Sequence, residues 1–404
     1  MTTNDCFALL DDRQASPGVA ASRLYQRFER EHRCTDPAGL DAMWAAVEAD
    51  QRAGLHAVLL ADYEWGARLI EAGHRRLDAD DPSALRVLMF RDLARLRADE
   101  VNAWLDGIEP HEAGAAGVMN LEASVDRTAF TRAIAQIQER IAAGETYQVN
   151  YTFRLHGQVY GEPVQLYRRL RERQAVAYGA LIRLPAKPGD GEAAHVLSLS
   201  PELFLRHEQG LLTARPMKGT AHRAADAEGD SESARHLAID AKNRAENVMI
   251  VDLLRNDLGR LARIGSVKVT QLFEVEPYGT LFQMTSTVQA ELRPEMGFAD
   301  VLRAAFPCGS ITGAPKHHTM ELIAGLESTP RGLYCGAIGW LDAPRDEARV
   351  GDFCLSVAIR TLVLGHAVQG LRPGRLGIGA GIVADSQAGD QFEGCHLKAR
   401  LLTG

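Results

Sequence analysis

Strand-like stretches in this sequence come in clusters joined by short polar loops, and that clustering narrows the possible folds more than any other feature. Between Gly179 and Thr213 several such stretches follow one another across loops such as Lys187-Pro188-Gly189-Asp190-Gly191. Others near 281–290, 333–341, 352–363 and 376–383 read as hairpins. A doubly wound parallel sheet needs a helix between successive strands. The pattern therefore predicts an α+β chain built on antiparallel sheets.

Helical signals frame these clusters. Phe130, Ile134, Ile137 and Ile141 recur at helical spacing, and Gly144 closes that helix. Tyr147, Val149, Tyr151, Phe153 and Leu155 then alternate, which predicts a strand with one buried face. A long helix is expected to carry Ala234, Leu237, Ala241, Ala245, Val248 and Asp252 as one stripe, with further helices at about 314–327 and 386–402. Earlier in the chain, Phe7-Ala8-Leu9-Leu10 and residues 55–60 look like strands, and residues 82–102 look helical. Small residues at 114–117 mark a boundary. It leaves an N-terminal region over 1–115, part of the same globule, and a catalytic domain over 120–404.

Composition excludes several function classes. A net charge of −8 argues against a nucleic-acid or polybasic membrane partner. No apolar run reaches the length of a membrane span, and Met1-Thr2-Thr3-Asn4-Asp5 lacks the basic start of a signal peptide. The six cysteines, at 6, 34, 308, 335, 354 and 395, form no Cys-x-x-Cys pair and read as reduced thiols of a cytoplasmic protein. The histidines show no metal spacing, since His317 and His318 are adjacent and point to different sides of a helix.

Four places carry chemistry, each with a plainer reading beside it. Lys218 lies in Arg215-Pro216-Met217-Lys218-Gly219-Thr220, which reads as a rigid turn; an amine fixed there can attack carbon, or it is simply a solvated lysine. Glu202 starts a strand whose hairpin partner leads to Lys218, so the two can face one pocket as acid and nucleophile, or Glu202 is an exposed strand-end carboxylate. Glu246 suits a hard cation such as Mg²⁺, or a salt bridge with Lys242 four residues back. Gly309-Ser310-Ile311-Thr312-Gly313-Ala314-Pro315-Lys316 runs into a helix, offering either an anion site or a structural cap; it is not a Walker loop. Finally, Gly377, Gly379 and Gly381 alternate in a strand, which suggests that a ligand approaches the backbone there.

Together these phrases resemble the chorismate-utilising enzymes, and among them the component I family of aminodeoxychorismate synthases. The likeness runs from about Ser124 to the C-terminus. It includes Tyr147-Gln148-Val149-Asn150, Ser200-Pro201-Glu202, the 216–220 segment, Arg244-Ala245-Glu246-Asn247, Ile359-Arg360-Thr361 and Gly379-Ala380-Gly381. Lys218 separates the chain from anthranilate synthases, which carry alanine there, and Gln148 stands where isochorismate synthases place a water-activating lysine. The resemblance implies two packed, mostly antiparallel β-sheets enclosed by helices.

It also implies amination of chorismate at C4. Glu202 would protonate the departing hydroxyl, and Lys218 would attack C2 to give a covalent intermediate that ammonia resolves. Arg360, the 379–381 backbone (Gly379, Ala380, Gly381), Thr312, Gln148 and Lys398 would bind substrate. Mg²⁺ would sit on Glu246. A second metal glutamate is usual four residues before Lys398, where this chain has Gly394; the adjacent Glu393, or Asp390, is expected to compensate. The chain shows no glutaminase elbow, so the resemblance implies ammonia from a separate glutaminase subunit.

Overall fold

In the computed structural model, which describes residues 6–72, 82–109, 114–185, 193–279 and 281–403, every pairing between strands is antiparallel. Residues 1–5 and the 187–191 loop lie outside the described residues. The strands begin with β1 (Phe7–Asp11), β2 (Ser22–Cys34), β3 (His56–Ala61), β4 (Leu85–Leu96), β5 (Gly117–Ala123) and β6 (Gln148–Tyr160). Next come β7 (Tyr178–Arg183), β8 (His195–Ser200), β9 (Leu203–Glu208), β10 (Leu211–Arg215), β11 (Met217–His222) and β12 (Lys268–Tyr278). The last are β13 (Leu281–Glu291), β14 (Gly313–Ala314), β15 (Ala337–Leu341), β16 (Phe353–Val357), β17 (Thr361–Leu364) and β18 (Leu371–Ile382). The helices are α1 (Leu40–Arg52), α2 (Tyr63–Leu69), α3 (Ala98–Ile108), α4 (Arg127–Ala142) and α5 (Pro163–Arg173). They continue with α6 (Ala227–Ile239), α7 (Ala241–Gly259), α8 (Phe298–Ala305), α9 (Lys316–Leu326) and α10 (Ala388–Thr403).

Hydrogen bonds join the strands in one file. It runs β5-β6-β18-β17-β8-β7-β1-β2 and then β4-β3-β15-β16-β9-β10-β13. β11 and β12 both pair with β13, and β14 with β6. The file doubles back on itself, and the side chains show where. On β3, Ala57, Leu59 and Ala61 pack outward with helices α1 and α2, while Val58 and Leu60 turn inward. On β7, Leu181 packs outward and Ala180 and Ile182 turn inward to the same interior cluster as Val58 and Leu60. The result is two packed layers covered by helices, as expected, with the refinement that they are one continuous antiparallel network. β2 makes the crossing: it holds one residue more than β4 between Phe28 and Arg30, and such a bulge bends a strand.

Burial on both faces explains where the sequence reading goes astray. Residues 85–96 form a strand rather than a helix, because Val87 and Met89 fill one side and Leu88 and Phe90 the other; pairing with β2 and β3 overrides helix propensity. Only the end of that stretch is helical, as α3. β6 has no solvent face over most of its length: Gln148, Asn150, Thr152 and Arg154 are as buried as Val149 and Phe153, whereas Tyr147 lies before the strand and is exposed. The long helix is two, broken at Asp240, whose carboxylate caps α7 by accepting from the Asn243 amide at 2.7 Å. Its buried face is Asn247, Ile250, Val251, Leu254 and Leu258, not a stripe through Val248 and Asp252. The 114–117 boundary leads straight into β5, and β1 and β3 pair with strands of the later chain.

Candidate active site

Two local irregularities aim the central side chains. Lys218 does not sit in a turn: it lies in β11, where three steps from Met217 to Thr220 oppose two on β13. The extra residue makes a bulge that rotates the lysine away from the regular alternation. Gly219 follows with φ of +91°, which favours glycine, and a Cβ there would press on the Asn243 side chain of α7 at 3.1 Å. β9 likewise carries one residue more than either β10 or β16 near Leu203, immediately after Glu202. Ser200 ties this corner down, its hydroxyl donating to the Val357 carbonyl at 2.6 Å and accepting from the Glu202 amide at 3.2 Å.

Both side chains enter one cavity of about 510 Å³. Its walls come from the 201–202 corner, β11, the first turns of α7, the 310–311 segment, β18 and α10. Of the residues expected to act together, the cavity gathers Glu202, Lys218, Glu246, Arg360, Gly379, Ala380, Gly381 and Lys398. Four basic groups (Lys218, Lys242, Arg360 and Lys398) outnumber the carboxylates Glu202 and Glu246, which suits a multiply charged anion in a chain of net charge −8. Lys218 Nζ donates to the Ser310 carbonyl at 3.0 Å. Lys398 Nζ donates to the Gly379 carbonyl at 2.9 Å, and Arg360, held at φ +49°, donates to Gln174 Oε1 at 3.2 Å.

Burial and mutual repulsion shape the electrostatics. Desolvation pushes the Glu202 carboxyl above its ordinary value, against the opposing pull of Ser310 and the Lys218 charge, and its Oε1 has no hydrogen-bond partner. Desolvation also raises Glu246, again opposed by Lys218 and Lys242. Lys398 and Arg360 are both lowered by desolvation, and Lys398 further by the neighbouring charges of Lys218 and Arg360. A buried carboxyl whose pKa is raised, in a cavity lined by basic groups, is suited to donate a proton to an anionic ligand.

Several expectations are corrected. Glu393 points away from the cavity, is 63% exposed and pairs with Arg127, so it does not join Glu246. Asp390 is exposed as well, and neither lines the cavity. Gly394 does line it, with open space where a side chain would stand. Thr312 is fully buried and its hydroxyl donates to the Gly309 carbonyl at 3.1 Å, which closes its own loop rather than reaching a ligand. Gln148 sits behind Gly381: it is buried, neither end of its amide has a partner, and its Nε2 lies 2.6 Å from where a Gly381 Cβ would be. Of the alternate glycines, only Gly381 is kept bare towards this group and Lys218. Gly377 makes room for the Tyr334 ring, and Gly379 for the neighbouring β6 backbone. Lys242 pairs with Asp385 at 3.1 Å rather than with Glu246.

The 309–316 segment also differs from both of its readings. It offers carbonyls, not amides, to side-chain donors: Ser310 to Lys218, and Ile311 to Arg331 and Asn150. Lys316 turns back to Asp257 at 2.8 Å. Ser310, Asn243, Gln283, Tyr334 and Gln391 line the cavity without having been singled out. Ser310 sat within a phrase already noted; the others carried no local signal.

The sequence and the fold have known counterparts. The sequence matches the chorismate binding enzyme family over residues 7–404. The chain belongs to that family. It is 39% identical to aminodeoxychorismate synthase component 1 of Klebsiella aerogenes over 309 residues, covering 75% of this chain and 64% of that one. It is 38% identical to anthranilate synthase component 1 of Streptomyces coelicolor over 290 residues, covering 71% and 53%. Thus the chain spans between half and two thirds of the length of these relatives. Its fold matches the menaquinone-specific isochorismate synthase of Escherichia coli with a TM-score of 0.73 at 18% identity, covering 99% and 89%. Among the described residues no helix is long and apolar enough to cross a membrane, and all six cysteines are free.

Proposed function

We propose that this chain aminates chorismate at C4, giving 4-amino-4-deoxychorismate for 4-aminobenzoate and folate synthesis in the cytoplasm. The observation that carries the reading is that an amine, Lys218, and a buried carboxyl, Glu202, enter one cation-rich cavity. Chorismate is a dianion, and Arg360 and Lys398 are the groups to hold its carboxylates. Glu202 gives its proton to the C4 hydroxyl as that group leaves, since hydroxide is a poor leaving group. Lys218 Nζ bonds to C2, the two ring double bonds shift, and the C4–O bond breaks with loss of water. Ammonia then bonds to C4, the double bonds shift back, and the C2–N bond to Lys218 breaks, freeing the lysine.

Mg²⁺ fits this cavity as a lightly held ion. Among the described residues no group of three His, Cys, Asp or Glu side chains comes together, so a dedicated cage is absent there; Glu246 lines the cavity with no salt bridge of its own. One carboxylate plus water and substrate oxygens is an ordinary Mg²⁺ environment. Bound there, the ion would neutralise and orient the ring carboxylate. Ammonia comes from a separate glutaminase subunit, a reading supported by the "component 1" naming of the relatives.

A second reading rests on Gly394, which leaves the cavity without the usual second metal carboxylate: a catalytically weakened chorismate binder. Anthranilate synthesis is disfavoured by Lys218. Product analysis decides among the three. Purified chain with chorismate, Mg²⁺ and ammonium should form 4-amino-4-deoxychorismate, and chorismate without ammonia should leave a mass adduct on Lys218. Anthranilate as product, or no turnover at all, would overturn the proposal.

A further inference from the structure

Behind the cavity lies a buried ionic cluster that the reaction as described does not use. Arg331 lies between α9 and β15, and its side chain is only 1% exposed. Nearly every donor of its guanidinium is spent. Nε and Nη2 donate to the two oxygens of Glu327 at 3.0 and 2.7 Å, Nη1 donates to the Ile311 carbonyl at 2.8 Å, and Nη2 donates to the Asn150 carbonyl at 2.7 Å. The plane stacks on the Tyr63 ring at 4.3 Å. Glu327 is saturated in turn by the Thr152 amide and hydroxyl and by Arg154.

Burying such a cluster costs more than burying apolar side chains of the same volume, so its position calls for a role beyond stability. The Ile311 carbonyl it grips is the peptide next to the Ser310 carbonyl that receives Lys218 Nζ. Asn150 Nδ2 reaches the same Ile311 oxygen at 3.1 Å, and the Asn150 amide donates to the Thr312 carbonyl at 2.8 Å. The segment that receives the lysine is thus clamped from behind by a planar fork in which each donor has one direction. On the far side, Glu64 of α2 accepts from the Arg331 and Gly332 amides at 2.6 and 2.8 Å, fixing the backbone from which the fork projects.

We infer that Arg331, held by Glu327, is a positioning residue for amination: it fixes the 310–311 carbonyls against which the Lys218 amine is aimed. The inference rests on Lys218 being the nucleophile of the proposed function. A lone carbonyl acceptor orients the amine, leaving its lone pair directed into the cavity once a proton is lost. If the segment shifts, the amine swings with it, and displacements of about an ångström can cost about 10²-fold in rate.

The test compares Arg331→Met, Arg331→Lys and Lys218→Ala, each checked for folding by circular dichroism. Arg331→Met should lower kcat for ammonia-dependent amination by about 10²-fold with KM for chorismate little changed. It should slow formation of the Lys218 adduct, followed by mass spectrometry, to the same degree. Arg331→Lys, which keeps the charge and can reach one carbonyl, should recover part of both. Residual chorismate turnover in Lys218→Ala should not fall further when Arg331→Met is added, because the effect passes through the lysine. Should Arg331→Met not fold, Arg331→Lys and Asn150→Ala, which weaken the same clamp, must still slow the adduct. An unchanged adduct rate in a folded clamp variant, or an equal further loss in the Lys218→Ala background, overturns the inference and leaves the proposed function standing. Full activity of Lys218→Ala, together with no adduct on Lys218 in the wild type, overturns the nucleophile itself, and this inference with it.

Discussion

The space between the two layers is filled differently at its two ends. At one end Ala8, Tyr25, Val58, Leu60, Leu88, Phe90, Ala180 and Ile182 pack as an apolar cluster. Along β8 the same inward face passes from Val196 to Ser198 and Ser200, and then to Glu202. There the layers part, and the space is polar, charged and open. Alternation decides which residues face inward; residue type decides whether the layers seal or hold a ligand. Burying the apolar end yields about 1.5–3 kcal/mol for each large side chain, whereas Glu202 and the unpartnered Gln148 amide cost stability where they stand. The stable end carries the strained one.

That contrast can be broken most sharply at Glu202. Replacing it by Gln should lower kcat by about 10²–10⁴-fold with substrate binding retained, the range of general-acid assistance. Because burial raises its pKa, the acid is fully protonated at low pH and loses its proton as pH rises through that raised value. With free ammonia held constant, wild-type turnover should therefore fall on the alkaline side, and the Gln variant should lack that limb. A rise in KM with kcat intact would make Glu202 a binding residue instead. Thermal stability of the variant should match or exceed that of the wild type, since burial disfavours the ionised form that Glu202 can take and Gln cannot.

The opposite outcome is expected at the sealed end. Leu88→Ala leaves a void in a face with no exposure and should cost about 2–5 kcal/mol in a denaturant titration. Turnover per folded molecule should stay at the wild-type level. A large drop in kcat from this substitution would show that the two ends are not independent. A smaller effect is expected at Gly394→Glu, which places a carboxylate in open space on the cavity wall. Mg²⁺ affinity, measured by calorimetry, should rise; no gain would mean that Glu246 and substrate oxygens already saturate the ion.

The Glu202 and Lys218 pairing was legible because the β9–β10 hairpin brings its two flanks together, with Glu202 just before β9 and Lys218 shortly after β10, so spacing along the chain translated into proximity. The helix at Arg127–Ala142 was legible because its apolar period has one buried face. β4 was not, because a strand buried on both sides loses the period-two pattern that marks it. Glu393 shows the limit of counting along a helix. One position from Gly394 turns a side chain by about 100°, enough to send its carboxylate to Arg127 on the other side of α10.

What the sequence determined by itself is the class of elements and the chemical inventory: antiparallel strands with covering helices, an amine, a carboxyl and a set of cations. Those follow from local periodicity and residue type, which short stretches of chain carry. Only the tertiary structure decided that the strands form one file folded into two layers, and that a bulge rather than a turn aims Lys218. It alone revealed Arg331, because its guanidinium becomes a buried clamp only when the Asn150 carbonyl, far away in the chain, meets the nearer Ile311 carbonyl and Glu327 carboxylate around it. Such convergence depends on contacts across some 180 residues of chain, and no pattern of neighbouring residues encodes it.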